Sequence, residues 1–137
     1  MKKIFLSGLI AGTVLLILSV AGLYLLLWLM SDMAMEYFGP AFTSRMQRNV
    51  FYYVHPFIIG ISLSWLWDRL QSRLRGPVLA KSLKFGLCYM AIATFPYMLL
   101  IYSAIDVSLA VVLTWLVFGF VEATIAAIIF NQQNKTR

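Results

Sequence analysis

The sequence predicts an all-α, four-transmembrane-helix bundle that forms a single integral membrane domain over residues 1–137. Two observations predict it: the chain contains four long apolar runs, and nearly every charged residue lies between or outside them. The runs cover residues 4–30, 50–67, 85–103 and 108–130. Each approaches or exceeds the roughly 20 residues with which a helix crosses a hydrocarbon core of about 30 Å. Helices are favoured over strands because a helix satisfies its own backbone groups in lipid.

The composition agrees with this fold class. Of the 137 residues, 62% are hydrophobic and only 12% are charged, whereas about 25% of the residues in a typical soluble domain are charged. The longest polar stretch, residues 31–49, is too short for a separate soluble catalytic module. Any chemistry is therefore expected in or at the membrane.

The first run begins like a secretory signal, with Lys2 and Lys3 ahead of an apolar stretch. A signal has an apolar region of about 7–15 residues before its cleavage site. This run continues through Trp28 to Met30. The sequence therefore predicts an uncleaved first transmembrane helix.

The distribution of Lys and Arg predicts the orientation of the helices. Nine of the eleven basic residues fall at the two termini or in the 68–84 connection, and only Arg45 and Arg48 fall on the other side. The positive-inside rule therefore predicts cytoplasmic N- and C-termini (N-in/C-in) for a multi-pass protein of the bacterial inner membrane. This topology explains the net charge of +6 without a nucleic-acid partner, and the expected partner is the lipid bilayer.

Small residues recur four positions apart within the runs and predict helix contacts. Residues four apart share a helix face, and without side-chain bulk two backbones approach closely. The residues with this spacing are Gly8, Gly12, Gly60, Ser64, Gly119, Ala123 and Ala127. The pattern leaves open whether they pack within one chain or between chains of a homo-oligomer or larger membrane complex. Pro56 and Pro96 are expected to kink the second and third helices.

Glu122 is the acidic residue placed deepest in an apolar run. It lies eight residues before Phe130, which is roughly 12 Å at 1.5 Å per residue. A charged carboxylate at such a depth costs about 2.5 kcal/mol or more, so the side chain should face the bundle interior and be hydrogen-bonded or protonated. The same depth count predicts hydrogen bonds from a set of four candidate substrate- or ion-binding residues. They are Thr13, Ser62, Thr94 and, one turn outward, Tyr97.

His55 is a second polar residue in an apolar run, near its outer end. Depth counting separates it from Glu122 by about 13 Å along the membrane normal, which argues against an acid–base dyad. The preceding Phe51, Tyr52 and Tyr53 indicate an interfacial aromatic belt. A pH-sensitive or ligand-binding histidine is the alternative.

Catalytic, metal and cofactor chemistry find little support in the sequence. Cys88 is the only cysteine, so the sequence predicts neither an internal disulfide nor a thiolate metal cage. A group of methionines at the outer loop could suggest a Cu(I) site, but an amphipathic interfacial segment explains them better. They are Met30, Met33, Met35 and Met46. Because common catalytic motifs are also missing, we expect a non-enzymatic protein without metal or cofactor.

Two functions are compatible with these features. The first is a non-enzymatic accessory or scaffolding helix bundle. The alternative is a small proton- or cation-coupled transporter or channel subunit that uses Glu122. A transporter requires a water-accessible cavity at Glu122, whereas a scaffold should bury this side chain in a dry, hydrogen-bonded contact.

Overall fold

Within the residues that the structure describes, the chain forms four helices, each long and apolar enough to cross a membrane. The computed structural model describes residues 2–30 and 49–135. Its helices are α1 (Lys2–Leu29), α2 (Asn49–Leu70), α3 (Val78–Ala104) and α4 (Leu109–Lys135). The predicted all-α four-helix bundle is confirmed. Several residues of the predicted outer loop lie outside the described residues, namely Met33, Met35, Arg45, Met46 and Arg48.

Each of the four helices extends beyond one end or both ends of the apolar run that predicted it. The largest difference is in α3, which begins at Val78 rather than at residue 85. Its first turns contain Lys81 and Lys84, whose long aliphatic stems allow the charged ends to reach the headgroup region while the backbone stays helical. The Lys84 ammonium also donates a hydrogen bond of 3.0 Å to the Arg75 carbonyl. A charged residue thus marks the end of an apolar run without ending the helix.

The connection between α2 and α3 is consequently short, residues 71–77. Gly76 has a φ of +123°, a conformation that side chains with a Cβ rarely adopt. Pro77 follows it directly before the first turn of α3, where its missing N–H leaves no helical bond unmade. These two residues allow the chain to reverse direction within seven positions.

The helices are arranged as two closely packed pairs, α1 with α2 and α3 with α4. In the first pair, Gly60 lies directly against the Gly8 carbonyl and the Gly12 backbone. A Cβ added to Gly60 would lie 2.7 Å from the Gly12 nitrogen. Glycine is therefore required here by the close approach of two backbones.

The second pair also uses small residues. Gly86 lies against the Thr124 hydroxyl and the Phe120 ring, and a Cβ added to Gly119 would lie 2.9 Å from Thr94 Cγ2. Ala123 and Ala127 are fully buried. These small residues thus pack against neighbouring helices of the same chain.

The two pairs meet in an aromatic core near the chain termini. The Trp67 ring contacts Phe85 edge-on, with a centroid distance of 5.3 Å, and Phe130 at 6.3 Å. The Ser7 hydroxyl donates a hydrogen bond to the Gln133 side chain, which joins the start of α1 to the end of α4. Both termini therefore lie at the same end of the bundle, and their position on the cytoplasmic side stays a prediction.

A π-helical turn, Met90–Thr94, interrupts α3 immediately before Pro96. Proline offers no backbone N–H, and its ring clashes with the carbonyl four residues earlier, here that of Ile92. A π turn provides the wider spacing that relieves this clash. It also lies beside the residues of α3 that face the interior of the bundle.

Candidate functional site

A cavity of about 780 Å³ lies among the four helices and reaches Glu122. On α1 it extends from Ser19 to Leu26, a span of about 10 Å at 1.5 Å per residue. It therefore begins near the middle of the helices and continues away from the end that holds the termini. Its volume is in the range of about 300–1,000 Å³ that is typical of small-molecule sites.

Glu122 lies at the inner end of this cavity and is only 8% exposed. The Ser19 hydroxyl, on α1, donates a hydrogen bond of 3.2 Å to Glu122 Oε1. The same hydroxyl lies 2.9 Å from the Leu15 carbonyl of its own helix. The Glu122 side chain therefore faces the bundle interior and connects the two helix pairs.

The Ser19 hydroxyl has a single hydrogen and two acceptor lone pairs, so it can serve either protonation state of Glu122. When Glu122 is ionised, Ser19 donates its hydrogen to the carboxylate. When Glu122 is neutral, the carboxylic O–H can donate to Ser19 Oγ while Ser19 donates to Leu15. Both states are hydrogen-bonded without a movement of the backbone.

The sequence does not predict Ser19 as the partner of Glu122, because a depth count from the ends of two helices ignores the offset between them. The Ser7–Gln133 hydrogen bond sets the register between α1 and α4. Eleven residues inward from Gln133 is Glu122, and eleven residues inward from Ser7 is residue 18. The observed partner, Ser19, is the next residue. Counting from the ends of the apolar runs, residues 4 and 130, places residue 12 opposite Glu122, and counting from the helix ends, Lys2 and Lys135, places residue 15 there. The hydrogen bond between the two helices is needed to reach Ser19.

Thr13 and Ser62 therefore do not contribute to the Glu122 site, contrary to the sequence-based expectation. Thr13 is exposed and donates a hydrogen bond of 3.0 Å to the Leu9 carbonyl of its own helix. Ser62 is exposed and borders a separate groove on the outer face of α1 and α2. Depth counting gives a height in the membrane but not a direction around the helix.

Thr94 and Tyr97 line the same cavity as Glu122. Thr94 is buried and packs against Gly119, while Tyr97 is exposed towards the outer half. In the described part of the chain, however, the hydrogen bond observed at Glu122 comes from Ser19. The two predicted residues thus belong to the cavity wall rather than to the immediate contacts of the carboxyl group.

Aromatic side chains form much of the remaining wall. They are Tyr52, Tyr89, Tyr97, Trp115 and Phe118. The Tyr52 hydroxyl donates a hydrogen bond of 3.2 Å to the Ser19 carbonyl, so α2 also contacts the residue that holds Glu122. None of the described residues that line the cavity is Lys or Arg. Neither Tyr52 nor Tyr89 is predicted from the sequence as a cavity residue, because interfacial tyrosines are common in transmembrane helices.

His55 borders the same cavity and is exposed. It lies one turn before Ile59, another residue of the wall. The depth count separates His55 from Glu122 only along the membrane normal. The cavity is long in that direction, so both residues line it. His55 therefore belongs to the site as a wall residue near its outer part.

The described residues contain no group of three or more His, Cys, Asp or Glu side chains that could hold a metal ion. Cys88 is exposed and free. Three of the four methionines considered as copper ligands, Met33, Met35 and Met46, lie outside the described residues. The chemistry available in the cavity is thus that of a carboxyl, hydroxyls, an imidazole and aromatic rings.

The chain matches no protein-family model, no curated protein and no solved structure. Its function is therefore inferred from the cavity itself. The central feature is a buried carboxyl group that has a hydroxyl partner and faces an aromatic space large enough for a small organic molecule.

Proposed function

We propose that this small membrane protein is a transporter that binds a hydrophobic organic cation in the cavity and exchanges it for a proton on Glu122. The proposal depends on one observation, the position of Glu122 on the wall of a cavity of about 780 Å³. A scaffold would bury such a side chain in a dry contact between helices. The cavity supports the transporter alternative instead.

The charge of the ligand is inferred from the side chains around the cavity. An ionised Glu122 finds no Lys or Arg counter-charge among the described cavity residues. A bound cation would supply that charge, and it would also be attracted to the faces of Tyr and Trp rings by about 0.5–2 kcal/mol per favourable contact. An apolar body on the same molecule would gain further free energy by leaving water.

An organic cation fits the cavity better than a bare metal ion. Ca²⁺ requires 6–8 oxygen ligands, and Mg²⁺ requires an octahedral set. The cavity offers a single carboxylate, neutral hydroxyls of serine, threonine and tyrosine side chains, the His55 imidazole and a predominantly aromatic and aliphatic wall. A large cation of low charge density would not need to replace a complete hydration shell.

Exchange with a proton follows from competition for the same carboxyl group. In the empty protein, neutral Glu122 can donate to Ser19 Oγ. Binding of the cation favours the ionised form, the carboxyl proton leaves to water, and the Ser19 hydrogen then points at the carboxylate. Release of the cation reverses these steps, so one positive charge replaces another at Glu122.

The cavity extends from Glu122 towards the end of the bundle opposite the chain termini. At the end that holds the termini, the bundle is closed by the contacts of Trp67 with Phe85 and Phe130. Transport requires a second state in which these contacts open and the outer part of the cavity closes. Because the contacts lie between two internally well-packed helix pairs, we propose that the pairs move relative to each other as units.

Equilibrium binding of tetraphenylphosphonium to the purified protein in nanodiscs, measured by calorimetry, tests this function. Glu122→Gln should weaken binding at least tenfold because it keeps the shape but removes the charge. Asp106→Asn is the matched control, since Asp106 is exposed outside the cavity, and its affinity should be unchanged. Tetraphenylborate, an anion of similar shape, should bind more weakly. Equal binding of tetraphenylphosphonium to the wild type and Glu122→Gln would contradict the proposal and favour an accessory bundle.

A further inference from the structure

A second hollow, separate from the cavity at Glu122, lies on the outer face of α1 and α2. It is a groove of about 640 Å³ lined by Ile4, Phe5, Ile61, Ser62, Trp65 and Leu66. Phe5 and Trp65 are 55% and 49% exposed, so the groove is open to the surroundings of the bundle. It lies beside the start of α1 and the last turns of α2, at the end of the bundle that holds the termini.

Basic side chains surround the terminal end of this groove. The Arg69 guanidinium lies 3.9 Å from the centre of the Trp65 ring. Lys2 and Lys3 are exposed within one turn of Phe5. Asp68 is the acidic residue in these two helix ends, so the net formal charge of Lys2, Lys3, Asp68 and Arg69 is +2.

The contact between Arg69 and Trp65 places a phosphate-binding group at the edge of the groove. A guanidinium that stacks on an aromatic ring keeps its in-plane N–H groups available for hydrogen bonds. Those groups match the oxygens of a phosphate in a bidentate arrangement. Since Arg69 lies one residue before the end of α2, this position corresponds to the headgroup level of the membrane, with the groove extending into the hydrocarbon.

We infer that this groove binds a phospholipid with an anionic headgroup, whose acyl chain lies along Phe5, Ile61 and Trp65 and whose phosphate contacts Arg69. Lys2 and Lys3 add attraction for the negative charge of the headgroup. The apolar wall and the net positive charge at its end together match the two parts of such a lipid. The site is independent of the transport proposed for Glu122.

A lipid is a better occupant than a helix of another protein. Close packing between transmembrane helices favours small residues at the contact. The glycines that bring α1 and α2 into close contact are already used within the chain, where Gly8 and Gly12 meet Gly60. The groove instead presents the bulky, exposed side chains of Phe5 and Trp65.

Quenching of Trp65 fluorescence by brominated lipids tests the inference. A Trp28→Phe/Trp115→Phe background removes two of the four tryptophans and keeps exposed Trp65 and buried Trp67. This protein is placed in phosphatidylcholine nanodiscs that contain a small fraction of brominated phosphatidylglycerol or brominated phosphatidylcholine. We expect phosphatidylglycerol to associate about fivefold more strongly than phosphatidylcholine, which corresponds to about 1 kcal/mol for one cation near the surface.

Arg69→Gln should remove most of this preference, because the remaining Lys2 and Lys3 attract the headgroup but cannot offer a bidentate contact to its phosphate. Arg73→Gln is the matched control, because Arg73 is an exposed arginine of the 71–77 connection that does not line the groove, and it should retain the preference. Equal quenching by the two lipids in the parent protein would overturn the inference. A preference that is undiminished in Arg69→Gln, or that is lost equally in Arg73→Gln, would also overturn it by showing a general surface attraction.

Discussion

The Ser19 hydroxyl donates a hydrogen bond to Glu122 across 3.2 Å and thereby joins α1 to α4 at the inner end of the cavity. The same hydroxyl lies within hydrogen-bonding distance of the Leu15 carbonyl. This pair of acceptors allows Ser19 to stabilise Glu122 with or without its proton. Ser19 is therefore a positioning residue for the proposed exchange.

Ser19→Ala should weaken tetraphenylphosphonium binding by about tenfold at neutral pH. The ionised carboxylate would lose a hydrogen bond, and such a loss is worth about 1–2 kcal/mol. Ser103→Ala is the matched control, since Ser103 is exposed and donates to the Leu100 carbonyl of its own helix. Calorimetric titration measures the tetraphenylphosphonium affinity of both variants. Equal affinities in the two variants would show that the Ser19 bond is irrelevant to binding.

Gly60→Ala should destabilise the bundle by about 1–3 kcal/mol, because overpacking forces two helices apart. The new Cβ would meet the backbone of Gly12 at 2.7–2.9 Å, and backbone cannot rotate away. Gly22→Ala is a useful comparison, since its Cβ would lie 2.8 Å from the Phe118 ring. That ring borders the cavity and can turn into it.

The free energy of unfolding in mixed detergent micelles, with SDS as the denaturant, compares the two glycine variants. The loss in Gly60→Ala should exceed the loss in Gly22→Ala by at least 1 kcal/mol. Similar losses would contradict the close approach of α1 and α2 at Gly60.

The orientation of the bundle is a separate prediction from the Lys and Arg distribution. Reporter fusions should place Lys2, Gly76 and Arg137 in the cytoplasm and Pro40 outside. The structure requires only that the two termini lie at one end. Termini on the external side would contradict the positive-inside assignment without changing the fold.

Transport is tested by flux of tetraphenylphosphonium into proteoliposomes under a pH gradient. The wild type and Asp106→Asn should accelerate flux that depends on the gradient, since both retain Glu122. Glu122→Gln should reduce it to the level of protein-free liposomes, because the side chain can no longer carry a proton. Gradient-dependent flux that is equal in all three proteins would show that Glu122 does not couple transport to protons.

The helix count and the inward-facing Glu122 could be predicted from the sequence because both follow from the cost of polar groups in lipid. Four apolar runs leave four helices as the simple solution, and a carboxyl group in the middle of one run is strongly disfavoured on the lipid side. The start of α3 at Val78 could not be predicted in the same way. Lys81 and Lys84 are tolerated in a helix at the headgroup level.

The partners of Glu122 were harder to predict. A depth count requires the offset between two helices, which their ends alone do not give, and it carries no information on which side of a helix a residue lies. Thr13 and Ser62 have suitable hydroxyls but face away from the cavity, whereas Ser19 faces Glu122. The cavity depends on how two helix pairs diverge, and hydropathy contains no signal for that geometry.

The most direct test of proton–cation exchange at Glu122 is the pH dependence of tetraphenylphosphonium affinity. Because His55 lines the same cavity, the measurement should use a His55→Gln background, with and without Glu122→Gln. A proton and a cation that compete for one carboxylate predict an affinity that rises with pH, by up to about tenfold per pH unit, while Glu122 loses its proton. The affinity should then level off, and the Glu122→Gln protein should bind weakly at every pH. An affinity independent of pH in the protein that retains Glu122, or an equal pH dependence in both, would contradict the exchange.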